Sequence, residues 1–157
     1  MRVLAFDPGY ERLGAAVLEK EKGQKEILLF SECIRTSAKL DFSTRIKQLG
    51  KTAEALIKKW KPDAVALEEV FFEKNAKTAL QVAEVRGALT YIAASCGLPV
   101  HQYTPSAVKV AVTGYGRGTK ADIAYMLPTL IALPKKLRID DELDAIAVGI
   151  TCLASVR

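Results

Sequence analysis

A single histidine and three cysteines are the only soft metal ligands in this 157-residue chain. A structural zinc site needs four such groups at short spacings, and His101, Cys33, Cys96 and Cys152 lie far apart, which speaks against zinc. The cysteines are odd in number and set among apolar residues, so they read as buried thiols of a reducing compartment and not as a disulfide framework. Nowhere do eighteen apolar residues follow one another, which argues against a membrane-spanning helix, and the apolar run at residues 3–6 is too short for the core of a signal peptide. A soluble, cytoplasmic protein is expected. Linkers rich in Gly, Ser or Pro, internal repeats and low-complexity tracts are also missing, so residues 1–157 are expected to form one domain, at a length that fills one hydrophobic core.

What the chain does have is a modest basic excess. Lysine and arginine number 23 against 18 acidic residues, for a net charge of +5. That balance suits a polyanionic partner without requiring one, and most of the lysines are spread out as ordinary solvated surface.

The apolar pattern orders the elements. VLAF, LGAAVL and EILLFSECI have strand length and are separated by turn residues, which predicts an antiparallel meander. Residues 42–60 carry apolar side chains at helical spacing, and Lys61-Pro62-Asp63 ends that helix. AVAL then reads as a parallel strand buried on both faces. A helix rich in small residues is predicted over about 75–96 with Gly97 as its C-cap, and LPVHQY reads as a fifth strand. Thr104 and Pro105 start another helix as N-cap and first residue. GYGRG reads as a flexible loop, a further helix from about residue 119 carries Pro128, which should kink or end it, and a last, mostly apolar helix begins near residue 140. The expected fold is α/β, a mixed five-stranded sheet built from a three-strand antiparallel meander plus two parallel strands, with helices on both faces.

Several carboxylates sit badly in this pattern. Asp7 ends the first strand, Glu68 ends the fourth, and Asp144 lies beside the apolar stripe of the last helix with Asp141 one turn before it. An ionised carboxylate removed from water without a partner costs several kcal/mol. If the first and fourth strands are neighbours and the last helix packs over their ends, these acids share one pocket. At roughly 5 Å and an effective dielectric near 20, each like-charge pair costs about 3 kcal/mol, so the cluster makes sense as a site for a hard divalent cation, Mg²⁺ or Mn²⁺. Taken one at a time, the same residues have plainer readings. An Asp before Pro-Gly is a turn former, and Asp140, Asp141 and Glu142 are ordinary first-turn residues of a helix. Asp144 fits such an account least well.

The segments DPG, ALEEVFFEKNAKTAL, VKVAVTGYGRGTK and DELDAIAVGIT, in this order and spacing, resemble the RuvC-type Holliday junction resolvases over nearly the whole chain. The resemblance implies a ribonuclease H-like fold, a homodimer, and Mg²⁺-dependent cutting of two strands at a four-way DNA junction, with a branch-migration helicase complex as partner. It places the metal-binding and catalytic acids on Asp7, Glu68, Asp141 and Asp144, with Glu69 and Asp140 as adjacent alternatives. It places catalytic lysines on Lys109 and Lys120, and the junction-contacting aromatic on Phe71. Lys74, Lys77, Lys109, Arg117 and Lys120 complete the expected DNA contacts. In a two-cation scheme Asp7 bridges the metals, Glu68 holds one, Asp141 and Asp144 hold the other, and Lys120 stabilises charge on the phosphoryl group. Family members differ at the position of Asp141, and many carry a longer C-terminal tail. The same acids would also serve another ribonuclease H-like nuclease acting on RNA or other branched substrates; a junction-binding protein without catalysis would have no need of them. The small-residue helix is the expected dimer interface.

Overall fold

The computed structural model of the protein describes residues 1–69, 76–133 and 140–156, with the side chains of Ala76 and Lys77 outside the description. Its elements follow the order β1 (Arg2–Asp7), β2 (Arg12–Glu19), β3 (Ile27–Arg35), α1 (Phe42–Trp60), β4 (Ala64–Glu68), α2 (Ala76–Ser95), β5 (Val100–Tyr103), α3 (Pro105–Thr113), α4 (Lys120–Leu130) and α5 (Asp140–Ser155). The strands form one five-stranded sheet in the order β3-β2-β1-β4-β5. β1, β2 and β3 pair antiparallel, while β1–β4 and β4–β5 are parallel, as the meander and the helical crossovers require.

Strand alternation divides the core in two. Val3, Ala5, Ala16, Leu18 and Ala66 face α3, α4 and α5, while Leu4, Phe6, Val17, Val65 and Leu67 face α1 and α2. By the same period of two, Asp7, Gly14 and Glu68 continue the first set, toward α5. The central strands are apolar on both faces because both faces are covered by helices.

The helix boundaries follow from capping chemistry. Asp41 caps α1, accepting from the Thr44 backbone N–H at 2.9 Å, and bonds from Ser43 and Thr44 hold its carboxyl well below the usual carboxylate range. Lys61 ends α1 in the left-handed conformation (φ 46°), its N–H donating to the Ile57 carbonyl at 2.9 Å, one residue before Pro62. Thr104 caps α3 and Gly114 closes it at φ 75°. Thr119 and Asp122 form a reciprocal capping box that starts α4 at Lys120. Pro128 does not break α4 where it stands; the helix runs on to Leu130 because the bond lost at Pro128 falls in its last turn.

Two expectations need correction. The GYGRG loop is tightly wound: the Thr113 hydroxyl donates to the Tyr115 carbonyl at 3.0 Å, and side chains at positions 116 and 118 would press on Ser106 and Thr113. Its glycines at those two positions serve close packing. Among the cysteines only Cys152 is buried; Cys33 is partly exposed and Cys96, at the end of α2, is exposed, although all three are free thiols.

Helix α5 lies closest of all helices to the sheet. A side chain at Gly14 of β2 would overlap the backbone carbonyl of Asp141, and one at Gly149 would overlap Leu18. The eight residues from 141 to 149 rise about 12 Å and the four from 14 to 18 about 13 Å, so the helix runs alongside β2 in the same direction. Gly14→Ala is therefore expected to destabilise the protein by about 1–3 kcal/mol, since a backbone carbonyl cannot swing aside as a side chain can. Thermal unfolding checks this; the expected fall is roughly 3–10 °C for a domain of this size, and an unchanged melting temperature would contradict the close approach.

Candidate active site

The parallel pairing of β1 with β4 matches Phe6 to Leu67, so the next residues, Asp7 and Glu68, end their strands side by side. On its other side Asp7 pairs with Gly14. Because that glycine admits the first turn of α5, the acids of α5 arrive at the same sheet edge. The result is a cavity of about 290 Å³ lined by Asp7, Glu68 and Asp144, by Lys109 of α3 and Lys120 of α4, and by the apolar walls Pro105, Val108 and Ile123.

The charges in this cavity are strongly coupled. Burial, then the Glu68 and Asp144 carboxylates, push the Asp7 carboxyl up to about 8, against a smaller opposing pull from Lys120. Glu68 is also raised, by burial and by Asp144, while Lys120, a hydrogen bond with Asp7, and Lys109 hold it down. The metal-free site at neutral pH therefore keeps a proton on Asp7, shared with the Glu68 carboxylate. The Asp144 carboxylate, which repels both of them, is itself ion-paired with the Lys120 ammonium. Burial opposes the charge on Lys120, but the hydrogen bond and charge of Asp144 outweigh it and raise the lysine above its usual range.

The expected residues divide clearly. Asp7, Glu68, Asp144, Lys109 and Lys120 are brought together. Asp141 is not a lining residue; its carboxylate lies 3.5 Å from the Arg12 guanidinium, although its charge still reaches Asp7. Asp140 is exposed. Glu69 continues the β4 ladder, donating its N–H to the Tyr103 carbonyl at 2.8 Å, and does not line the cavity. Arg117 is exposed in the loop between α3 and α4. Phe71 and Lys74, and the side chain of Lys77, lie outside the described residues. Two contributors were overlooked in the sequence. Gly14 was signalled by being an isolated glycine inside a strand pattern, which marks a close backbone approach. Arg12 carried no signal, since its contact with Asp141 joins residues far apart in the chain.

A family model described as "Crossover junction endodeoxyribonuclease RuvC" matches residues 3–152. The chain belongs to the RuvC family. It is 42% identical over 155 residues to the crossover junction endodeoxyribonuclease RuvC of Moorella thermoacetica, covering 99% of this chain and 92% of that one. With the protein of the same name from Syntrophomonas wolfei it shares 39% over 157 residues, covering 100% of this chain and 91% of that one. Among solved structures it resembles T. thermophilus RuvC in complex with Holliday junction substrate, with a TM-score of 0.89 at 31% identity over 96% of this chain and 92% of that one. The fold is accordingly the ribonuclease H-like one.

Nucleases of the RuvC family are metal-dependent. The donor chemistry of the cavity fits a hard cation, since its acidic ligands are all carboxylate oxygens, and burial together with the neighbouring carboxylates favours a proton on one of them. In the present side-chain arrangement no three acidic, histidine or cysteine groups among the described residues stand ready to hold one ion. Lys120 engages Asp144 and Arg12 engages Asp141.

The proton on Asp7 predicts a pH dependence. A carboxyl raised from 3.8 to about 8 binds more protons folded than unfolded between those values, so in EDTA its contribution lowers stability progressively as pH rises through that interval. Replacement of Asp7 by Asn is expected to flatten the slope of melting temperature against pH and to stabilise the metal-free protein at pH about 8. Parallel slopes for the two proteins would refute the shared proton.

Proposed function

We propose that this RuvC-family chain resolves four-way DNA junctions, hydrolysing one phosphodiester in each of two strands as a homodimer. The observation that carries the reading is the joining of Asp7, Glu68 and Asp144 with Lys109 and Lys120 in one cavity, in a chain that matches its family over nearly its full length.

Asp7 and Glu68 are the residues that would hold Mg²⁺ first, because among the described residues no salt bridge engages either carboxylate. Asp144, released from Lys120, and Asp141 would be the further donors for a pair of ions, with Mn²⁺ as an acceptable substitute. When bound, such ions lower the pKa of water and neutralise charge on the phosphoryl oxygens and the leaving 3′ oxygen. Lys120, at the first position of α4 and with 69% of its side chain exposed, reaches the cavity on a flexible stem, from which its ammonium would meet a phosphoryl oxygen. Lys109, beside Glu68, adds a second positive charge on the α3 side. The apolar wall of Pro105, Val108 and Ile123 limits water on that side and strengthens these interactions.

Phe71 is assigned to an unpaired base at the crossover, and Lys74, Lys77 and Arg117 to backbone phosphates. The α2 face supports the dimer, since Leu80 and Tyr91 expose 57% and 73% of their surface there. We assign residues 1–157 to one nuclease domain working in the cytoplasm with a branch-migration helicase complex. Among the described residues no helix is long and apolar enough to cross a membrane.

Incubation with synthetic four-way junctions and sequence-matched linear duplexes tests this reading. Cutting of the junction in Mg²⁺, its loss in EDTA, and little cutting of duplex are expected; equal cutting of both substrates would overturn it. In the same assay Glu68→Gln should abolish cleavage while Glu69→Gln retains it. Lys120→Ala should lower the single-turnover rate by about 10²–10³-fold with junction binding largely kept, a loss typical for one charge-stabilising donor.

A further inference from the structure

Asp141 has a built environment of its own outside the cavity. Gly14 pairs with Cys33 across β2 and β3, and the first turn of α5 rests on this pair. The Asp141 carboxylate then meets two side chains: Arg12 NH1 at 3.5 Å and Cys33 Sγ at 3.9 Å, both on the same oxygen. Arg12 precedes Gly14 by two residues on β2 and so projects from the same face. Its guanidinium is half exposed at 53%, whereas the Asp141 carboxylate retains only 16% of its surface. An acid this covered needs a cation, and among the described residues Arg12 is the one paired with it.

We infer that Arg12 is a positioning residue that holds Asp141 apart from Asp7, Glu68 and Asp144 in the metal-free protein and competes with the bound cation for it. The inference rests on the proposed role of the cavity as the metal site. Two alternatives are available to Asp141, the guanidinium outside or the ion inside, and the fixed backbone of α5 over Gly14 leaves only side-chain rotation between them. Arg12 therefore weakens metal binding by the amount its own ion pair is worth, and it does so through Asp141 alone.

Calorimetric titration of Mn²⁺ into DNA-free protein tests this with four chains: wild type, Arg12→Gln, Asp141→Asn, and the double variant. Arg12→Gln is expected to tighten Mn²⁺ binding by about two- to fivefold, the range a partly exposed ion pair supplies. In the Asp141→Asn background the same substitution should change nothing, because the competition has lost its object. Equal tightening in both backgrounds would mean that Arg12 acts only by its general charge and would overturn the inference, as would no tightening in either. An Asp7→Asn control separates the two levels of the argument. If Mn²⁺ binding depends on Asp7 while Arg12→Gln has no effect, the inference fails alone; if binding ignores Asp7, the metal-site reading fails with it.

Discussion

The approach of α5 to the sheet is the constraint on which the site depends. Most helices stand about 10 Å from the sheet they cover, held off by side chains on both surfaces. Here Gly14 and Gly149 remove those side chains at two points along β2, and the helix settles until the backbone of Asp141 touches the strand. The same contact delivers Asp144 to the ends of β1 and β4. Asp7 and Glu68 are already adjacent through strand register. A bulkier residue at position 14 would lift α5 and separate the two halves of the acid set, which is a larger effect than the loss of any single contact.

Closeness creates the charge problem that the rest of the site resolves. Three carboxylates line one cavity, and the burial that draws them together also removes the water that would screen them. The metal-free protein uses two remedies. Asp7 keeps a proton, and Asp144 takes the Lys120 ammonium as a partner. Neither remedy would survive if the same oxygens held a divalent ion as proposed, so binding would expel a proton and displace a lysine. The net affinity would then be the difference between the intrinsic affinity of the oxygens and the worth of these internal substitutes.

The fold was legible in the sequence because its signals are local. Strand length, helical spacing, the Thr104-Pro105 start and the small-residue helix each act within one element, and the structure shows all five strands and five helices in the expected order. The choice between Glu68 and Glu69 was not legible until the structure showed Ala66 facing α5, from which the period of two puts Glu68 on that face and Glu69 on the other. Contacts that join distant segments were not legible either. Nothing near Arg12 announces a partner on α5, and nothing near Asp141 shows that its carboxylate turns toward β2 instead of toward Asp144. Helical spacing put both acids on one side of α5, but an i, i+3 pair spans an arc wide enough for two destinations. Glycine was misread in the GYGRG loop for a related reason, since flexibility and close packing require the same absent side chain and only the neighbours distinguish them.

Lys120 has two positions that exclude each other. In the structure it is paired with Asp144 and offsets part of the negative charge of the cavity. Facing a phosphoryl oxygen it stabilises negative charge, as the proposed reaction demands. In the proposed reaction Asp144 would pass from Lys120 to a metal and the freed ammonium would be available to a phosphate, so the same few charges would be rearranged without a new one from the protein. This explains why a lysine suits the position better than an arginine would. Its single ammonium on a flexible stem can change partners by rotation, whereas a planar guanidinium, once set in a two-point contact with a carboxylate, would hold Asp144 more firmly against the metal.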